Sequence, residues 1–258
     1  MINFYLDRID YKGDVTPSLN TLKNLQKAHV LTVPFENLDI HIGKPIDLSK
    51  EGLIEKIIFQ KRGGFCFELN GLFCELLTEL GFDAQLIAAR VYSRDNGYGL
   101  PMDHATILVH LDETNYLVDV GYGEFSFEPL KIELNKPLED ERGFFIIEEH
   151  EKDVYRVSKL DQSKKKHEYL FELTPHPLVA FKDMCLYHQT SPDSPFTQRR
   201  LITLPTPTGR VTLTSEKFLA KDGRQIKLET IENEEAFYAK LEEVFGYSTQ
   251  NILVELNK

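Results

Sequence analysis

The stretch Arg62-Gly63-Gly64-Phe65-Cys66-Phe67-Glu68-Leu69-Asn70 joins a thiol to two features that make a thiol reactive. Its two glycines let the backbone turn sharply and approach another group closely. The apolar stripe that follows sets Cys66 at or near the first turn of a helix. Unpaired N–H groups there, with the positive end of the helix dipole, favour a thiolate. A thiolate attacks carbonyl carbon, and the same N–H groups can donate to the oxyanion that forms. Cys74 lies mid-helix, where none of this applies. Free cysteines are more often small buried residues than nucleophiles, so the partners decide.

A cysteine nucleophile needs a histidine base, and the base needs an orienting carboxylate or amide. His104 opens a strand-like run, Asp103-His104-Ala105-Thr106-Ile107-Leu108-Val109, and Asp119 sits in the next, Tyr116-Leu117-Val118-Asp119-Val120-Gly121. Burying a carboxylate between two valines costs several kcal/mol unless it is paired, roughly by the transfer scales. That cost predicts a partner, and an imidazole fits. A hairpin turning through Asp112 to Asn115 puts both side chains on one face. A tight register leaves them offset along the strands, so a bulge or a third strand is expected to close the gap. Singly, His104 reads as a strand-end histidine and Asp119 as an edge aspartate facing water; with Cys66 they read as a set.

The elements that must position this set fall into three blocks. Leucines 19, 22 and 25, preceded by Thr16-Pro17 as cap and first helical residue, share a helical face. Leu53, Ile54, Ile57 and Ile58 form a second stripe; Leu69, Leu72, Phe73, Leu76, Leu77 and Leu80 form a third, stopped by Gly81. Short runs rich in β-branched and aromatic residues follow at 84–92, 105–111, 116–120, 143–147, 154–157 and 169–173. Turn residues separate them, as expected of an antiparallel sheet or small barrel. After the turn-rich tract Thr190 to Pro195 come strand-like runs at 201–204 and 210–214 and a helix near 234–245 buried through Phe237, Leu241, Val244 and Phe245. The expectation is an α+β protein in three parts, 1–83, 84–189 and 190–258.

Composition narrows the classes. A net charge of -11 argues against a general nucleic-acid binder, which needs a clustered basic surface. No apolar run approaches the roughly 20 residues that span a bilayer, and Met1 to Arg8 lacks the basic-then-apolar plan of a signal peptide. A cytoplasmic protein is expected. The three cysteines form no CxxC pair and the eight histidines no HExxH pattern, so no metal site is expected and the thiols are expected free.

At this point the chain resembles the arylamine N-acetyltransferase family. The nonapeptide around Cys66 is similar to that family's nucleophile signature. His104 lies 38 residues after Cys66 and Asp119 a further 15, which is the family's triad spacing. Pro34-Phe35-Glu36-Asn37-Leu38 and Gln189-Thr190-Ser191-Pro192-Asp193-Ser194-Pro195-Phe196 resemble two further family motifs. The resemblance implies a helical bundle, a β-barrel and an α/β lid around a cysteine-protease-like Cys-His-Asp core. It implies acetyl-coenzyme A (acetyl-CoA) as co-substrate, small aromatic amines or hydrazines as acceptors, and a ping-pong reaction through a thioester. In that reading Cys66 carries the acetyl group, His104 holds the thiol proton and Asp119 orients the ring.

Tyr187 and Phe196 match positions that the family uses around coenzyme A or the acceptor, although aromatic residues fill ordinary cores as well. Phe35 reads as packing. Lys164-Lys165-Lys166 and Arg199-Arg200 suit coenzyme A phosphates, but charge runs are usually solvated faces. Gly121-Tyr122-Gly123 lacks the third glycine of a dinucleotide fingerprint and reads as a turn at the cleft, with tyrosine where phenylalanine is expected in many relatives. Competing classes are a cysteine hydrolase or transglutaminase-like enzyme, a related amide synthase, and a silent binding module keeping the fold.

Overall fold

The computed structural model describes residues 1–161 and 164–247. Its first helix of more than two turns, Leu19–Thr32, is capped by Ser18, whose side chain accepts the Thr21 N–H, and not by Thr16. Thr16 instead bonds back to Asp14 Oδ1 through its N–H and hydroxyl. Leu22 and Leu25 are buried on this helix. The second stripe forms a one-turn α-helix, Lys50–Leu53, that widens into a π-helical turn, Ile54–Phe59. The wider turn carries Lys56 inward beside Ile57 and Ile58, so three consecutive residues are buried. The third helix, Cys66–Glu79, starts at the cysteine itself. Phe65 cannot cap it with a side chain, and Glu68 does so from the third helical position, accepting the Phe65 N–H at 3.0 Å. Gly81, at φ +92, ends the turn that follows.

Nine strands make the antiparallel sheet. From one edge, the main path runs Leu130–Lys131, Thr114–Val118, His104–Leu111, Asp83–Ser93, Lys164–Pro175, Val154–Asp161, Gly143–Glu151, Pro137–Asp140. The two edges are joined through residues 132–136. Ile132 donates to Asn115 O at one edge and Asn135 to Ile147 O near the other, at 2.9 and 2.8 Å. A sheet whose edges are tied that closely must curl, and it forms a nearly closed barrel. Strand alternation divides its side chains. Ile87, Ala89, Leu117, Phe145, Val157 and Phe171 form one cluster, while Leu86, Ala105, Ile107, Val109 and Val118 pack with the helices.

A second sheet of five strands occupies the C-terminal part. Four come from residues 201–230, including Lys217–Asp222 and Gln225–Thr230, which the sequence pattern did not indicate. The fifth is Phe35–Glu36, from the far N-terminal side, paired with Leu201–Thr206 so that Phe35 faces Thr203 and Glu36 faces Ile202. The helix Glu234–Phe245 covers this sheet, capped by Asn233 at its start and by left-handed Gly246 at its end. The turn-rich junction contains the helix Lys182–Thr190 and the single turn Pro195–Gln198. The molecule is an α+β protein with N-terminal helices, an antiparallel barrel and an α/β C-terminal part.

Candidate active site

Cys66, His104 and Asp119 are 3, 2 and 1% exposed. His104 Nε2 meets Asp119 Oδ2 at 2.7 Å, and the Cys66 side chain is close enough to the ring to favour its protonated form. The expected bulge or third strand is not needed. Ile107 pairs with Val118, so Asp119 lies just past the last paired residue and diagonal to His104 on the same face. Side chains span that diagonal directly.

Asn70 locks the arrangement, and sequence reasoning missed it as a functional residue. It stands four residues after Cys66 on the same helix face. Its Nδ2 donates to Asp119 Oδ1 at 2.9 Å and to Ala105 O at 2.7 Å; its Oδ1 accepts the Val120 N–H at 2.9 Å. Gly121 N–H also donates to Asp119 Oδ1, at 2.9 Å. A Cβ on Gly121 would lie 2.8 Å from Cys66 Cα, so only glycine lets this turn reach the helix.

Burial alone pulls the His104 ring down. The charge and hydrogen bond of Asp119, with the Cys66 sulfur, outweigh it and raise the imidazole to about 10. Burial pushes Asp119 up, but His104, Asn70 and the Gly121 N–H hold its carboxyl below the usual range. Burial pushes the Cys74 and Cys185 thiols up to about 12. Neither is a nucleophile at neutral pH. A protonated imidazole between a carboxylate and a sulfur favours the thiolate form of that sulfur.

Beneath the nucleophile turn lies a buried ion cluster, also missed. Arg62 binds Glu36 Oε1 and Asp39 Oδ1, each at 2.6 Å. Lys56 binds Glu68 Oε1 at 2.7 Å and Asp39 Oδ2 at 2.8 Å. Burial lowers both cations, and the carboxylates more than reverse this; Glu68 itself is pushed up by burial. Charged residues inside apolar stripes, Lys56 among isoleucines above all, were the available signal. The cluster joins the Pro34–Leu38 segment to the glycine turn. Gly63 lies so close that a Cβ there would be 1.9 Å from Pro34 O, and its N–H donates to Tyr247 Oη at 2.6 Å.

Cys66 and His104 open on a cleft of about 540 Å³ whose walls include Tyr122, Tyr187, His188 and Phe196. Both aromatic residues singled out as substrate contacts are therefore on it. Phe35, expected to serve packing, lines it too, its ring 5.9 Å from that of Phe196. Gly121-Tyr122-Gly123 is at the cleft as expected. The lysines at 164–166 border a separate depression, and Lys165 pairs with Glu148 at 2.7 Å. Arg200 pairs with Glu234 and stacks 3.6 Å over Phe237, a structural use. Among the described residues no group of three or more histidines, cysteines or carboxylates could hold a metal ion.

The N-acetyltransferase family model matches residues 18–254. Arylamine N-acetyltransferase 1 of Homo sapiens is similar at 33% identity, over 98% of this chain and 96% of its own length. The solved arylamine N-acetyltransferase from M. tuberculosis superposes with a TM-score of 0.89 at 28% identity, covering 100% of both chains. That from Mycobacterium marinum in complex with CoA does so with a TM-score of 0.89 at 27% identity, covering 99% of this chain and 97% of its own. A shared fold alone leaves chemistry open, but near-complete sequence matches at these levels do not, and the chain belongs to the arylamine N-acetyltransferase family, an acyltransferase family.

Proposed function

We propose that the protein moves an acetyl group from acetyl-CoA to the nitrogen of an arylamine or arylhydrazine through a thioester on Cys66. The observation that carries this is the buried chain of contacts from Asp119 through His104 to the Cys66 sulfur, at the wall of the cleft. The Cys66 thiolate attacks the thioester carbonyl, with N–H groups of the first helical turn as oxyanion donors. The bond to the coenzyme sulfur breaks, and that sulfur takes the proton from the His104 imidazolium. The amine then attacks the Cys66 thioester, gives its proton to His104, and expels Cys66 as the thiolate again. Exchange of one thioester for another is nearly balanced, so the intermediate stays reactive towards a weak amine. Asp119 keeps the ring oriented and charged, and Asn70 is a positioning residue. Tyr187 and Phe196 form walls for the two substrates.

The division into residues 1–83, 84–189 and 190–258, whose last part runs beyond the described residues, belongs to the same proposal, supported by the separate nine- and five-stranded sheets of the second and third parts. So does a cytoplasmic setting, supported by three free cysteines, which a reducing compartment keeps reduced. No helix among the described residues is long and apolar enough to cross a membrane.

Incubation with acetyl-CoA alone, followed by peptide mass spectrometry, tests the mechanism. An acetyl group on the Cys66 peptide, released by an arylamine, is expected; Cys66→Ala and His104→Ala each abolish it. Release to water at the same rate without amine would make the protein a hydrolase. Absence of label with retained coenzyme binding would make it a silent binding module.

A further inference from the structure

Asp103 lines the same cleft as Cys66 and His104 and takes no part in the contacts among Cys66, His104 and Asp119. Its carboxylate is built into the wall. Oδ1 accepts the Val91 N–H at 2.9 Å. Oδ2 faces Gly99, where a Cβ would stand 1.7 Å away, so the neighbouring turn is shaped around this oxygen. The main-chain oxygen of Asp103 accepts from His188 Nε2 at 3.1 Å, which fixes the strand entrance. Arg90, on the adjacent strand, gives its Nε to Gly99 O at 2.9 Å, and among the described residues Asp103 has no ion-pair partner. The titratable groups facing it are His104 beside it, Arg90 on the adjacent strand, His188 across the entrance, and Tyr187 and Asp193 on the cleft wall. Burial pushes its carboxyl up to about 6, while the Val91 N–H, His104 and Arg90 pull the other way. Above that pH it is an anion on a cleft wall that also carries Phe35, Tyr122, Tyr187 and Phe196.

An anion placed this way favours a cation or N–H donor on whatever enters. Of the two substrates proposed above, coenzyme A brings phosphates, which a carboxylate repels, so the acceptor is the substrate it suits. We infer that Asp103 is a specificity-determining residue that selects aromatic amines carrying a second, cationic or N–H-donating group and rejects those carrying a carboxylate. The inference rests on the acyl-transfer reading.

The test uses the full chain, acetyl-CoA and three anilines that each have one readily acylated nitrogen: 4-(dimethylaminomethyl)aniline, 4-aminobenzamide and 4-aminobenzoate. In the unaltered protein kcat/KM should fall in that order, the cationic amine exceeding the anionic one by more than their ratio in uncatalysed acetylation. In Asp103→Asn, which keeps an oxygen for the Val91 N–H, that excess should shrink on the order of tenfold. In the unaltered protein it should also grow as the pH rises through about 6, a readout that needs no variant. An unaltered protein without the order, an order that survives in Asp103→Asn, or a pH-independent excess would each overturn the inference. Failure of acetyl-CoA to label Cys66 would instead sink the acyl-transfer reading itself.

Discussion

The charge on Asp119 keeps the His104 ring protonated against its burial. Asp119→Asn preserves the size of the group and removes that charge, so desolvation pulls the imidazole down and the sulfur loses its cationic neighbour. Alkylation of Cys66 by iodoacetamide at neutral pH is expected to slow by at least about tenfold, with its profile moved to higher pH. An unchanged profile would show that Asp119 does not act through the ring. These three residues were legible in the sequence because each is a polar group in a setting that penalises it: a thiol at a helix start, a histidine at a strand entrance, an aspartate between valines. Asn70 was not, although it closes the quoted nonapeptide. An asparagine inside a helix has many ordinary uses, and only the folded chain brings its three hydrogen bonds to the Asp119 turn and the His104 strand.

Among the elements, a close tolerance lies between the Cys66–Glu79 helix and the turn after Val120. A methyl at position 121 would meet Asn70 Nδ2 at 2.7 Å and Cys66 Cα at 2.8 Å. Gly121→Ala is therefore expected to displace the helix start, lowering kcat/KM by at least about tenfold, while thermal unfolding shifts by only a few degrees. Equal activity of the variant would mean that the turn has slack. Long periodic segments were read well from sequence, and the helix expected near 234–245 spans Glu234–Phe245. Three kinds of element were not. Leu130–Lys131 and Gly97–Tyr98 are two residues long and carry no period. Gln225–Thr230 has only two apolar residues, Ile226 and Leu228, and both are exposed, so its alternation marks no buried face. The turn at Ile54–Phe59 has a helical stripe whose π widening depends on Lys56 finding its carboxylates. Ser18 displaced Thr16 as cap because either hydroxyl suits the position and only backbone geometry decides.

For the whole molecule, the order of the chain and the order in space diverge at the nucleophile. Phe35–Glu36 is a strand of the C-terminal sheet, Arg62 is buried against Glu36 and Asp39, and Gly63 is held by Tyr247. Tyr247→Phe leaves the buried Gly63 N–H without its acceptor, which is expected to destabilise the protein by about 1–3 kcal/mol. Urea unfolding monitored by fluorescence and by Cys66 reactivity measures it; no change in either would show that the bond is replaceable. The same bond carries a consequence for biosynthesis. A ribosome delivers the cysteine early and the tyrosine 181 residues later, so a growing chain carries the thiol long before the clasp that seats it exists. Until that tyrosine is added the turn bearing the sulfur lacks its clasp, and a nascent polypeptide stalled before it exposes an unprimed cysteine to the cell.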